Sequence, residues 1–268
     1  MKQIKLFKPF LMVALCVLIA SCNKEDNDDF KNSKPLVKIT NSFNFGGNDG
    51  DFTFRYSDGK LIKVIDENKK EINITYTGKT VTVKGSYIGE FTLQLNNDGF
   101  AESGIWTYLY GDTHELDFEY SKGNLTKYTL YSSNDNIRKT VNIKYDNGGN
   151  LSNASVLYSE GGKNYTWEYT FTSSDYPSKG KSWFFFGDDN CLEQELWSVY
   201  YAGLLGKHPQ NLISKIECKG NTPSSLNNNF VSQTFDYSFY DDGYVKKITG
   251  TEESHWGIEY INTSYFYE

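Results

Sequence analysis

Leu116-Asp117-Phe118-Glu119-Tyr120-Ser121-Lys122-Gly123-Asn124-Leu125-Thr126-Lys127-Tyr128 carries the pattern on which the whole chain is built. Leu116, Phe118 and Tyr120 alternate with Asp117 and Glu119. That two-residue period belongs to a strand with one apolar and one wet face. Gly123 supplies the positive φ of a tight turn, and an Asn or Asp beside such a glycine fixes the turn by bonding its own backbone. Beyond the turn, Leu125 and Tyr128 stand three residues apart rather than two. The skip predicts a bulge, which raises local twist and curls a sheet.

The same cadence recurs on both sides. It runs through Phe52-Thr53-Phe54-Arg55-Tyr56 to Gly59, Leu61 and Val64, and through Ile72, Ile74 and Tyr76 to Gly78, Val81 and Val83. Leu93 and Leu95 with Gly99, Val141 to Tyr145 with Gly148, and Phe235 to Phe239 with Gly243, Val245 and Ile248 are further copies. Trp167-Glu168-Tyr169-Thr170-Phe171 is a first strand whose turn has diverged. The strand-ending residues Tyr56, Tyr76, Leu95, Tyr120 and Tyr145 are spaced 20, 19, 25 and 25 apart, the length of one hairpin plus its connection. Aromatic residues make up 16% of the chain, with 23 glycines against 5 prolines, which favours strands and tight turns. The expected fold is all-β: an antiparallel meander of about 12–15 strands, strongly curled or barrel-like, since that many twisted strands do not stay flat.

One helix is expected, over residues 190–205. Asn190 and Glu193 fit a capping box, and Gly206 with Pro209 supplies a stop. Leu192, Leu196, Trp197, Val199, Tyr200, Tyr201 and Leu204 cover half or more of its circumference, leaving Gln194, Glu195 and Ser198 in the other sector. So wide a stripe requires a concavity rather than a flat surface. The helix is therefore placed inside the curl of the sheet.

At the N-terminus, Lys2, Lys5 and Lys8 precede an apolar run over residues 10–20 that is too short to span a bilayer. The run ends in Ile19-Ala20-Ser21-Cys22, which resembles the bacterial lipobox. The resemblance implies removal of a signal peptide, residues 1–21, and a lipid on Cys22. Lys24, Glu25 and Asp26 resemble the export signal of Bacteroidetes surface lipoproteins. Residues 22–35 read as a disordered acidic tether, and residues 36–268 as a single β domain. Loss of residues 1–21 removes three lysines and no acids, taking the net charge from −7 to −10. An acidic chain without a basic patch argues against nucleic acid.

Tyr200-Tyr201-Ala202-Gly203-Leu204-Leu205-Gly206-Lys207, followed by Gln210-Asn211-Leu212-Ile213, is similar to a stretch in an uncharacterised Bacteroidetes lipoprotein family described as having a porin-like fold. The Tyr-x-x-Gly-x-Leu cadence resembles the tyrosine-aspartate repeats of bacterial shell-forming proteins. The resemblances imply a barrel-like antiparallel sheet on a lipid anchor, and bring no catalytic residues. A barrel embedded in the membrane by its strands would put apolar residues outward and make a lipobox redundant.

Chemistry is sparsely signed. His114, His208 and His255 lack metal-ligand spacing, and no Gly-x-Ser-x-Gly, His-Glu-x-x-His or phosphate-loop motif occurs. No catalytic residue, metal or cofactor is therefore assigned. Glu115, Asp117 and Glu119 could supply the paired carboxylates of a sugar hydrolase, but on a wet sheet face such acids serve solvation. Asn48 to Asp51 and Gly187 to Asn190 are oxygen-rich enough for calcium, and turn chemistry accounts for both. Cys191 and Cys218 are either a disulfide tying the helix start to the next strand or two buried thiols. Trp106, Tyr108 and Tyr110, together with Trp256, are candidate aromatics for stacking on sugars, with core packing the plainer account. The expected protein is a cell-surface lipoprotein of the outer membrane, held by its lipid, with a non-catalytic binding or scaffolding role. Its partner would be a glycan or an envelope protein. Capture of glycans or peptides and an unrecognised glycoside hydrolase are the alternatives.

Overall fold

The computed structural model describes residues 34–42, 50–109, 111–132, 137–180, 196–221, 230–254 and 257–268. The five consecutive repeat copies form five hairpins. They are β2 (Gly50–Ser57) with β3 (Lys60–Asp66), β4 (Glu71–Thr77) with β5 (Thr80–Gly85), and β6 (Gly89–Leu95) with β7 (Ala101–Thr107). β8 (Thr113–Ser121) pairs with β9 (Asn124–Ser132), and β10 (Ile137–Tyr145) with β11 (Leu151–Glu160). The diverged copy is β12 (Lys163–Pro177), and the last is β14 (Phe230–Phe239) with β15 (Val245–Ser254). Three strands outside the copies complete the set: β1 (Leu36–Ser42), β13 (Asn211–Asn221) and β16 (Gly257–Tyr267). Among the described residues sixteen strands result, one above the expected range, because β1, β13 and β16 lack the repeat's own turn. Each strand pairs antiparallel with its chain neighbours and β16 returns to β1, closing a barrel.

The three-residue skips are bulges. Tyr56 faces Leu61 while Arg55 faces Lys63, leaving Ile62 extra. Thr126 and Lys246 are left extra in the same way, as are Ser152 and Glu102. Backbones approach closely at Gly250 on β15, which lies between Phe235 and Ile261. A Cβ there would stand 1.9 Å from the Thr234 carbonyl oxygen of β14. Only a residue without a side chain lets the two backbones approach so closely.

Most apolar residues face inward, while a few such as Ile105, Leu157 and Tyr260 stand exposed. Val81, Phe91, Leu93, Tyr128, Val141 and Tyr265 are all 0% exposed. The outer face carries ion pairs such as Lys63–Glu71 at 2.7 Å, Lys84–Glu90 at 2.6 Å and Lys127–Glu119 at 2.7 Å. These exposed pairs contribute little stability, but they mark a wall made for water. A lysine or arginine facing lipid at the bilayer midplane would cost about 2–4 kcal/mol.

A barrel of this strand number can leave an open channel; here the interior is filled. α1 (Trp197–Tyr201) is buried along its whole length, with Trp197, Val199 and Tyr201 at 0% exposure. Trp197 packs on Phe52 at 5.1 Å and Tyr201 on Phe54 at 5.3 Å between ring centroids. Ser198, expected in the less apolar sector, is also 0% exposed. The concavity closes on every side of the helix. Asn190 and Glu193 lie outside the described residues. The helix stops earlier than Gly206: Leu204 N–H donates to Val199 O and Gly203 N–H to Tyr200 O, with Gly203 at φ 79°. This paired closure caps the helix at Gly203 and frees Gly206 for another task.

Candidate functional site

One rim of the barrel holds the tight turns of the repeat, and the chain after α1 crosses it. Leu204 O accepts from Ala101 N, Lys207 N donates to Gly123 O, and Gln210 N donates to Gly149 O. Asn211 N donates to Asn150 Oδ1 at 2.9 Å. Three successive hairpin turns thus each hold the crossing segment by a backbone bond. Gly206 (φ +87°) makes the closest pass: a Cβ there would meet Gly123 O at 2.7 Å. Beneath, Tyr200 Oη and His208 Nδ1 are 2.5 Å apart.

The strand-ending tyrosines finish this rim. Tyr56 Oη donates to Leu36 O at 3.0 Å, Tyr76 to Leu61 O at 3.2 Å and Tyr120 to Ala101 O at 2.7 Å. Tyr237 donates to Ile213 O. Each acceptor is the residue just before a bulge in the preceding strand. Tyr56, Tyr76 and Tyr120 at strand ends, and Tyr237 two residues before the end of β14, are therefore clasps, each hydroxyl closing the irregularity left by the bulge next door. Such a bond contributes about 1 kcal/mol net. Burial pushes the Tyr76 hydroxyl up to about 12 and those of Tyr56, Tyr120 and Tyr237 higher still.

These phenols hold their protons more tightly when folded than when unfolded, near pH 10. Their contribution is complete below that value and declines as pH rises through the folded values. The melting temperature should hold steady up to about pH 10 and fall steeply above it. Phenolate absorbance should rise together with unfolding. Titration of most tyrosines near pH 10 in a still-folded protein would contradict the clasps.

The opposite rim carries the aromatic candidates. Trp106 is 5% exposed and stacks on Phe91 at 5.2 Å with 10° between the planes. Its Nε1–H donates to Ile88 O at 2.7 Å. Tyr108 meets it edge-on at 5.3 Å, and the His114 ring lies 5.2 Å away. Trp106 thus faces inward and offers no ring to an external sugar. The alternation with Tyr108 gave a shared face but not its direction. Tyr108 is half-buried, and Leu109 beside it is 46% exposed. Tyr110 and Trp256 lie outside the described residues, as do Cys22, Lys24, Glu25, Asp26, Cys191 and the turn Gly187 to Asn190. Cys218 is buried on the inner face of β13. Asp51, from the other oxygen-rich turn, pairs with Lys38 at 3.1 Å.

Glu115, Asp117 and Glu119 project from the outer face of β8, and Glu119 is engaged by Lys127. A convex wall offers no second surface to hold a sugar between two acids. Among the described residues, no three His, Cys, Asp or Glu side chains gather as metal ligands would. Sequence reasoning passed over Tyr131, which is 41% exposed on the outer face of β9. Its parity, opposite to the inward Tyr128 and Leu130, was the available signal.

Residues 54–248 match a family described as a domain of unknown function (DUF4595) with porin-like fold. The fold is similar to the crystal structure of a porin-like protein from Bacteroides vulgatus, with a TM-score of 0.62 at 15% identity, covering 88% of this chain and 99% of that one. A porin-like protein from Bacteroides uniformis gives a TM-score of 0.63 at 15% identity, covering 88% and 98%. No curated protein matches the sequence.

Proposed function

We infer that this chain, which belongs to the family of domains of unknown function with a porin-like fold, acts as a lipid-anchored binding or scaffolding module at the outer membrane. The observation that carries the reading is the inverted barrel: charged outside, apolar and filled inside. Such a wall is unsuited to lipid and such an interior conducts nothing, so attachment to the envelope falls to the lipobox at Cys22. The start of the barrel suits a tether. Lys34 N donates to Tyr244 Oη at 2.8 Å, and its Nζ pairs with Asp242 in the β14–β15 turn. Lys24, Glu25 and Asp26 would direct the anchored domain to the outside. Non-catalytic binding accords with acids spread over a convex wall.

Fatty-acid labelling and protease treatment of intact cells test this. The wild type should incorporate label and be cleaved on intact cells, and Cys22→Ala should lose the label and leave the membrane. Replacing Lys24, Glu25 and Asp26 by alanine should retain the label and lose surface cleavage. A Cys22→Ala protein that still fractionates with the outer membrane would rule out the lipid anchor.

A further inference from the structure

The chain enters the barrel at one corner of the rim that carries the tight turns. Lys34 is held to the β14–β15 turn by its backbone N–H on Tyr244 Oη and by its ammonium on Asp242. Beside it, Glu268 N donates to Pro35 O at 3.2 Å. Aromatic and cationic side chains gather around this corner. Tyr176 is 50% exposed, and its ring centroid lies 4.8 Å from that of Phe239. Lys34 Nζ stands 5.8 Å from the centre of the Tyr244 ring, and Lys246 Nζ stands 5.8 Å from that of Tyr240. Lys179 Nζ donates to Asp242 O at 3.0 Å, so two lysines close on the residue whose carboxylate Lys34 already holds. Tyrosine and lysine together are what a membrane–water interface favours: the ring sits at the level of the headgroups, and the ammonium reaches out to their phosphates.

We propose that this corner is the face the barrel sets down on the lipid headgroups, with the opposite rim pointing away from the membrane. The proposal rests on the lipid at Cys22 and adds which end of the molecule that lipid brings down. Eleven residues separate Cys22 from Lys34, so whatever path they take, the two lie within about 43 Å of each other. A strand such as β16, eleven residues long, rises about 36 Å. Tilted as barrel strands are, such strands hold the two rims about 25–30 Å apart. A barrel standing on its opposite rim would use most of the tether's reach to span its own wall, at a cost in chain entropy. One resting on the Lys34 corner uses none of it. The tether thus selects the end, and Tyr176, Tyr240, Tyr244, Lys179 and Lys246 are the groups brought to the headgroups. The occupant of this face is the surface to which the chain's own lipid ties it.

The test reconstitutes the full-length lipidated protein into phosphatidylcholine–phosphatidylglycerol vesicles that carry a headgroup-linked acceptor dye. A donor dye is attached, in a Cys191→Ser background, at Asp241→Cys in the β14–β15 turn or at Lys163→Cys on the opposite rim, both exposed positions. Energy transfer to the vesicle surface should be severalfold greater from Asp241→Cys. Adding Tyr176→Ser and Lys246→Gln should lower that contrast about twofold or more, while the variants still float with the vesicles and melt with the wild type. Equal transfer from the two positions in a protein that floats overturns the proposal. So does a contrast that the two added substitutions leave untouched. A wild type that does not float refutes the lipid anchor and the docking together, so flotation tells the two failures apart.

Discussion

Trp197→Ala should lower the stability of the barrel by about 3–5 kcal/mol, the usual loss when a fully buried aromatic is cut back to a methyl group. The indole is 0% exposed and packs between Phe52 of β2 and Tyr201 of its own helix. Phe52 belongs to a closed wall that cannot collapse inward to fill the space, so the upper part of the range applies. Denaturant unfolding measures it: the midpoint should fall at unchanged slope, since the surface exposed on unfolding stays nearly the same. A loss below about 1 kcal/mol would mean that the helix is not part of the core.

Gly250→Ala should be nearly as damaging by the opposite route, at about 3 kcal/mol. The added methyl would fall 1.9 Å from Thr234 O and 3.0 Å from Thr234 C, both backbone atoms, so no side chain can swing aside. β15 would have to part from β14 at a point where seven residue pairs run in continuous register. Lys246→Ala, at the exposed bulge of the same strand, is the matched control and should change little. The comparison is again read from unfolding midpoints. Equal stability of the two variants would show that β14 and β15 are not pressed together as described.

The hairpins were legible because their causes are local. Gly59, Gly78, Gly99, Gly123 and Gly243 all have positive φ at the expected turns, and the skips from Leu61 to Val64 and from Leu125 to Tyr128 name their own bulges. Barrel closure was not legible, because Leu36 and Tyr267 pair across the whole chain and leave no mark in either neighbourhood. The helix end was misplaced because two glycines compete for it: Gly203 caps the helix, and Gly206 is needed where the chain brushes Gly123. Of the candidate site, the sequence showed which aromatics share a face but not which face looks inward. Trp106 points to Phe91, a partner in another strand that no local pattern foretells. Tyr131 was overlooked because a lone aromatic out of phase with its apolar neighbours reads as an exception.

All pairings but one in this barrel join strands adjacent in the chain; the exception joins the first to the last. A nascent polypeptide can zip up hairpin by hairpin as it emerges, at small cost in loop entropy. The ring cannot shut until its final residues arrive. A product broken off before β16 would keep two bare strand edges and an uncovered apolar face, the usual invitation to join its own kind edge to edge. For this molecule, a covered apolar face depends on synthesis continuing through β16.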